Sequence, residues 1–96
     1  MSQSSGHLAA RGLLTFATAR RSRELGLAAI AGTSEPQIEI DLSGITASDS
    51  AGMTVLLDWL AFAKRSSRSL HFESLPPQVQ ALARISDVLE LIQRGV

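Results

Sequence analysis

Apolar and polar residues alternate along two short segments of the chain, and this pattern predicts two β-strands. In residues 37–42 every second residue is isoleucine or leucine, and acidic residues lie between them. In residues 69–74, Leu70 and Phe72 alternate with His71 and Glu73. Strict alternation is typical of a strand with one face packed on a core and the other in contact with water. A loop over residues 43–49 is expected after the first of these strands.

Apolar residues recur at helical spacing in three longer segments, which predicts helices over residues 18–30, 50–64 and 77–85. Pro77 suits the first turn of the third helix, because a proline there removes no intrahelical hydrogen bond. A last short helical turn is expected from Asp87. The expected inward positions of the first helix are Leu25, Ala28 and Ala29.

Two short apolar runs near the N-terminus, residues 8–10 and 13–16, are separated by the two-residue link 11–12. This arrangement predicts an N-terminal β-hairpin. Residues 1–6 are rich in serine and are predicted to be disordered. The folded domain is therefore expected to cover residues 7–96.

The predicted order of elements is strand, strand, helix, strand, helix, strand, helix. Alternation of this kind predicts an α/β domain, here with about four strands in a mixed, mainly parallel sheet after the hairpin. Three to four helices would complete the domain, and the sequence shows no internal repeat.

Composition argues against several classes of function. Nine basic residues balance nine acidic residues, so the chain lacks the basic excess typical of nucleic-acid-binding proteins. The absence of cysteine excludes disulfides and thiolate metal sites. No apolar stretch approaches the length of about 20 residues that spans a membrane. These features predict a cytoplasmic domain with no nucleic-acid partner and no membrane span of its own.

The sequence contains no motif that indicates catalysis. Its single lysine, Lys64, is not part of a phosphate-binding loop, and no Gly-x-Ser-x-Gly elbow is present. His7 and His71 have no metal-compatible neighbours in the sequence. We therefore expect a protein that is not an enzyme and has no cofactor and no bound metal.

The start of the second helix carries the main functional signal. Either Asp49 or Ser50 can act as the N-cap of this helix, and Gly52 in the first turn indicates a close approach by another backbone or a partner. Ser50 is also suited to phosphorylation, because a helix N-terminus stabilises negative charge. The residues alone leave capping and a regulatory or contact role as alternatives.

The second helix has apolar residues on two opposite faces. One face carries Met53, Leu56, Leu57 and Leu60, and is expected to pack on the sheet. The opposite face is either covered by a neighbouring helix or exposed for a partner. A partner-binding surface on that side would consist of Ser50, Ala51, Thr54, Val55, Asp58, Trp59 and Phe62.

A cluster of arginines, Arg20, Arg21 and Arg23, lies near the start of the first predicted helix. Such a cluster is either a solvated helix surface or a contact with an acidic partner or anionic headgroups.

The segments Ile-Asp-Leu-Ser-Gly-Ile at 40–45 and Asp-Ser-Ala-Gly-Met at 49–53 resemble the corresponding segments of STAS domains. Two further segments, 13–19 and 74–83, resemble other parts of the same family. STAS domains occur in anti-sigma-factor antagonists, in sulfate-transporter tails and in a subunit of a bacterial lipid transporter. The resemblance implies a STAS fold.

Within this family, the chain most resembles the small cytoplasmic STAS subunits of Mla phospholipid ABC transporters, partly because of Leu-Pro-Pro-Gln at 75–78. The resemblance implies a non-enzymatic subunit that binds and stabilises the transporter ATPase at the inner membrane and supports outer-membrane lipid asymmetry. In that case Ser50 would lie in the ATPase interface. The alternative is an anti-sigma-factor antagonist, in which a serine kinase would phosphorylate Ser50 and so control binding to an anti-sigma factor.

Overall fold

The computed structural model describes residues 2–4 and 6–96 of the chain, and it confirms the predicted α/β class. The described elements alternate between strands and helices after an opening pair of strands. In chain order they are β1 Ser2–Ser4, β2 His7–Leu14, α1 Ala19–Gly32, β3 Gln37–Ser48, α2 Ser50–Arg65, β4 Ser69–Glu73, α3 Pro77–Ile85 and α4 Leu89–Arg94.

The strands that the structure describes form one sheet in the spatial order β1-β2-β3-β4. β1 is antiparallel to β2, whereas β2, β3 and β4 are parallel to one another. Parallel neighbours require a crossover, and α1 and α2 provide the two crossovers. One face of the sheet supplies core residues, namely Leu8, Ala10, Ile38, Ile40, Leu42, Leu70 and Phe72. The helices cover this face, and the alternate residues of the strands face water.

The N-terminal region differs from the prediction. Residues 8–10 and 13–16 do not form a hairpin, because β2 runs through both parts of the link, Arg11 and Gly12. Gly12 has a φ of +86° and lies at a register shift against β3, so it forms an irregularity in one strand rather than a turn between two.

The antiparallel neighbour of β2 is instead Ser2–Ser4, within the segment predicted to be disordered. The backbone of this short strand pairs with residues 7–9 of β2. Met1 and Ser5, which belong to the same predicted segment, lie outside the described residues.

The predicted loop over residues 43–49 is also wrong, since β3 continues to Ser48. Residues 44–48 pair with residues 11–14 of β2, and this pairing satisfies backbone groups that a loop would expose. The predicted helix over residues 77–85 is confirmed, as is the inward orientation of Leu70 and Phe72 in β4.

α1 is confirmed as a helix, but its inward face differs from the prediction. Gly26 and Ile30 are buried. Of the predicted inward residues, Leu25 and Ala28 are exposed and only Ala29 packs against the core. Gly26 contacts the indole ring of Trp59 in α2 so closely that an added Cβ atom would overlap the ring. The missing side chain at Gly26 therefore allows the two helices to pack together.

Candidate partner-binding site

The parallel strands β2, β3 and β4 end at one edge of the sheet, and each is followed there by the start of a helix. We call this side of the molecule the carboxyl edge. Loops at the carboxyl ends of parallel strands are where α/β proteins most often place their functional residues. Gln78 connects the start of α3 to the end of β3 at this edge, because its side-chain oxygen accepts a hydrogen bond of 3.0 Å from the backbone amide of Ser48.

Asp49 is the N-cap of α2, which decides between the two capping residues that the sequence left open. One carboxylate oxygen accepts a hydrogen bond of 3.0 Å from the amide of Gly52. The other accepts a hydrogen bond of 3.0 Å from the amide of Phe16, in the loop between β2 and α1. The hydrogen bonds from Phe16 and then Gly52 hold the pKa of Asp49 below its ordinary value, because they favour the ionised form.

Ser50 is exposed at the first residue of α2. Thr54, one turn later, is also exposed, and its hydroxyl donates a hydrogen bond of 3.1 Å to the carbonyl oxygen of Ser50. Asp49 provides the helix cap, so the side chain of Ser50 is not needed for that role. The structure therefore brings two hydroxyl side chains together on the outer surface of the first helical turn.

Gly52 confirms the expected close approach, and its neighbour is a backbone of the same chain. An added Cβ atom at Gly52 would overlap the carbonyl group of Leu14 at the end of β2. Close packing at this point also brings Asp49 near enough for its amide to donate to the same carbonyl oxygen, at 3.3 Å.

The second apolar face of α2 is largely covered by α1, which corrects part of the predicted partner-binding surface. Trp59 is only 1% exposed and Val55 only 3%. The indole Nε1 of Trp59 donates a hydrogen bond of 3.2 Å to the carbonyl oxygen of Arg23. A ring that is packed against Gly26 and hydrogen-bonded to α1 belongs to the core, so neither Trp59 nor Val55 presents a surface to a partner.

The remaining residues of the predicted partner-binding surface are neither fully exposed nor fully buried. Ala51, Asp58 and Phe62 are half-buried. Asp58 accepts a hydrogen bond of 3.1 Å from the guanidinium group of Arg23, so this residue joins α2 to α1. The accessible part of the predicted surface is therefore centred on the first turn of α2 rather than spread along the helix.

Sequence reasoning missed Phe16, which is the most exposed large apolar side chain among the described residues, at 85%. The apolar run of residues 13–16 placed this residue in a strand of the expected hairpin. The structure places it in the loop after β2, where its amide donates to Asp49. No sequence signal marked this contact, because residues 16 and 49 meet only when β2 and β3 pair.

Both histidines are exposed. In the part of the chain that the structure describes, no group of three or more His, Asp or Glu side chains is arranged to hold a metal ion. His7 instead lies 3.2 Å from the carboxylate of Glu39 on the outer face of the sheet. None of the described helices is both long and apolar enough to cross a membrane.

Solved structures show which class of fold this is. A sulfate transporter family protein from Wolinella succinogenes superposes with a TM-score of 0.67 at 15% identity, covering 96% of this chain and 75% of the other. The unphosphorylated anti-sigma factor antagonist SpoIIAA gives a TM-score of 0.64 at 13% identity, covering 88% and 79%. The STAS domain of a SulP transporter from Vibrio cholerae gives 0.56 at 11% identity, covering 95% and 71%. The chain thus has the STAS fold.

A match over nearly the whole sequence identifies the family to which the chain belongs. The family model described as "Mlab, STAS domain" matches residues 1–93. The chain therefore belongs to this family of STAS domains. No curated protein matches it in sequence.

Proposed function

We propose that this protein is a non-enzymatic subunit that binds and stabilises the ATPase of an Mla-type phospholipid ABC transporter. The observation that carries the proposal is the exposed Ser50 at the capped N-terminus of α2, in a chain whose residues 1–93 match the Mlab family model. Such a subunit would lie in the cytoplasm, at the inner membrane, through its complex with the transporter. By supporting the ATPase it would contribute to outer-membrane lipid asymmetry.

The proposed contact surface consists of the accessible residues around the first turn of α2. Ser50 and Thr54 lie at its centre, and the half-buried Ala51 lies between them in sequence. The centre of a protein interface is typically poor in charge, and these small uncharged side chains meet that condition. The Asp49 carboxylate is already held by two backbone amides, so it holds the surface in place without requiring a counter-ion from the partner.

A negative charge at Ser50 tests this surface. Ser50→Asp should fold normally, because the helix dipole favours an acid in the first turn. In a packed interface the added carboxylate would lose its water without gaining a counter-ion, at a cost of several kcal/mol. We expect co-purification with the Mla-type ATPase to be lost, together with any stimulation of ATP hydrolysis.

Ser34→Asp is the matched control, since Ser34 is exposed in the loop between α1 and β3, at the other end of the sheet. This variant should bind the ATPase as the unaltered chain does. If Ser50→Asp also binds with unchanged affinity, the first turn of α2 is not the interface. If the unaltered chain does not bind the ATPase at all, the proposed function is wrong.

An anti-sigma-factor antagonist remains the second candidate, and the exposure of the Ser50 hydroxyl favours it, because a kinase must reach that group. The STAS fold shared with SpoIIAA is compatible with either role. Intact-mass measurement of the protein from growing and starved cells separates the two candidates. An antagonist should gain the mass of one phosphate at Ser50 in one growth state, whereas a transporter subunit should show the same mass in both.

A further inference from the structure

Large apolar side chains are concentrated on the surface beside the proposed contact. The strongly exposed ones among the described residues are Leu13, Phe16, Leu25 and Ile85. Three of them, Leu13, Phe16 and Leu25, come from the end of β2, the following loop and α1. Single exposed apolar residues are common on soluble proteins, but a group of them beside one another indicates a contact surface.

The loop that carries Phe16 is held in place by hydrogen bonds at both ends. The hydroxyl of Thr18 donates to the carbonyl oxygen of Leu13 at 2.8 Å and accepts from the amide of Thr15 at 3.1 Å. The amide of Phe16 itself donates to Asp49. An aromatic ring on a fixed backbone loses little conformational entropy on binding, which is the usual property of an anchor residue at an interface.

Phe16 is also continuous with the proposed contact around Ser50. Asp49 accepts the hydrogen bond from Phe16 and directly precedes Ser50 in the chain. The loop after β2 and the first turn of α2 therefore stand side by side at the carboxyl edge. A partner that covers Ser50 would meet Phe16 in the same contact.

The charge beside Phe16 is positive. Arg20 and Arg21 are exposed in the first turn of α1, which contains no acidic residue. Cations are disfavoured by the dipole at a helix N-terminus, so these two arginines oppose local helix stability. Arg20 lies 3.6 Å from Glu24, and such an exposed pair contributes little. A partner with carboxylates at this position would complement the charge.

Leu13 and Leu25 add a concave feature to the same surface. Together with Ile45 and the polar residues Arg11 and Ser22 they line a cavity of about 80 Å³ between the sheet and α1. A small cavity of this kind fits one apolar side chain of a partner, whereas a lipid chain would extend well beyond it. An exposed aromatic side chain on a fixed loop and a small, partly apolar cavity are both features through which two protein surfaces can fit together.

We infer that Phe16 anchors the ATPase to this subunit by entering an apolar pocket on the ATPase that is bordered by carboxylates. The inference rests on the proposed function and extends its contact surface from Ser50 across the loop after β2. The occupant of this surface is a folded protein with an apolar, acidic face. Binding of the same surface to an anionic membrane would contradict the inference.

The experiment compares Phe16→Ala with Ile85→Ala in binding to the purified ATPase, measured by calorimetry. The two residues are equally exposed, at 85% and 84%, but Ile85 lies at the C-terminal end of α3, away from the carboxyl edge. Both variants should keep the melting temperature of the unaltered chain. Phe16→Ala should weaken the affinity by roughly tenfold or more, whereas Ile85→Ala should leave it unchanged.

Charge reversal tests the acidic part of the partner. Arg20→Glu combined with Arg21→Glu should slow association and reduce its dependence on salt. Arg65→Glu, a reversal at the opposite end of α2, is the control and should have no such effect. Flotation of the unaltered chain with vesicles of phosphatidylcholine and phosphatidylglycerol should recover no bound protein.

The outcomes separate the two proposals. If the unaltered chain binds the ATPase and Ser50→Asp prevents binding, while Phe16→Ala binds like Ile85→Ala, the proposed function holds and the anchor role of Phe16 is wrong. Vesicle binding that is lost in Phe16→Ala would also overturn the anchor role, in favour of a membrane contact. If the unaltered chain does not bind the ATPase, both proposals fall.

Discussion

Asp49 is the residue on which the geometry of the carboxyl edge depends, because its carboxylate accepts hydrogen bonds from two separate segments. The bond from Gly52 caps α2, and the bond from Phe16 positions the loop after β2. The first contact is local, and the sequence predicted it as one of two capping alternatives. The second joins residues that are 33 positions apart, so only the folded chain creates it.

Substitutions of Asp49 should show how much each of its two hydrogen bonds contributes to stability. Asp49→Asn keeps a side-chain oxygen for Gly52 but cannot accept from both amides equally well, so it should lower the melting temperature less than Asp49→Ala does. The pKa of Asp49 is depressed in the folded protein, so the ionised carboxylate stabilises the fold above its ordinary pKa of about 3.9. This contribution is lost as the pH falls through the depressed pKa.

Thermal unfolding of the three proteins between neutral and strongly acidic pH measures this dependence. The stability advantage of the unaltered chain over Asp49→Asn should be constant near neutral pH and should shrink at the acidic end. A difference that does not change with pH would show that the ionised carboxylate has no special role.

At the scale of elements, the packing of α1 on α2 is determined by a glycine and a tryptophan. Trp59 is buried and occupies the space that a side chain at Gly26 would need. Gly26 has a low intrinsic helix propensity, and α1 nevertheless forms. The stabilising free energy comes from burial of the Trp59 ring rather than from the local sequence.

Two glycine-to-alanine substitutions in α1 should therefore change the free energy of unfolding in opposite directions. Gly26→Ala gains helix propensity but forces the two helices apart, and overpacking of this kind typically costs about 1–3 kcal/mol. Gly32→Ala gains propensity at a position where an added Cβ atom meets nothing within 4 Å, so it should stabilise the fold by about 0.5 kcal/mol. Chemical denaturation of both variants measures the difference, and equal effects would contradict the packing argument.

At the scale of the whole molecule, the sheet has a core face covered by helices and an outer face that carries charge. Glu39, Asp41 and Glu73 lie on this outer face in neighbouring strands. A side-chain hydrogen bond with Glu39 and repulsion from the same carboxylate raise the pKa of Glu73. Ionisation of Glu73 therefore disfavours the folded state.

Removal of this charge should stabilise the protein at neutral pH. Because the pKa of Glu73 is raised on folding, the stability of the unaltered chain should fall as the pH rises from the ordinary glutamate pKa of about 4.3 through the raised value. Glu73→Gln should unfold at a higher temperature at neutral pH and should lose this advantage in acid.

Glu35→Gln, in the exposed loop between α1 and β3, is the control for removing one negative charge from the surface. It should leave the pH dependence as it is in the unaltered chain. An equal gain in both variants would indicate an effect of net charge rather than of the acidic cluster on the sheet.

The sequence by itself determined the α/β class, the ends of α3 and the inward residues of β4, because each depends on local periodicity, a proline or alternation. It also predicted a cap at the start of α2 and the close approach at Gly52. Apart from the approach of Leu14 to Gly52, which joins distant parts of the chain, these features rest on interactions within one or two turns of the chain. The family resemblance in residues 40–45 and 49–53 is confirmed for the same reason, since it is carried by contiguous residues.

Only the tertiary structure decided which surfaces are accessible. Val55 and Trp59 have the same helical pattern whether they face a partner or α1, so the pattern could not exclude burial. Phe16 is an aromatic residue at the end of an apolar run, which is typical of a strand. It lies in an exposed loop because β2 pairs in parallel with β3 instead of turning back at Gly12. Exposure depends on which distant segments pack against a residue, and that information is absent from any single stretch of sequence.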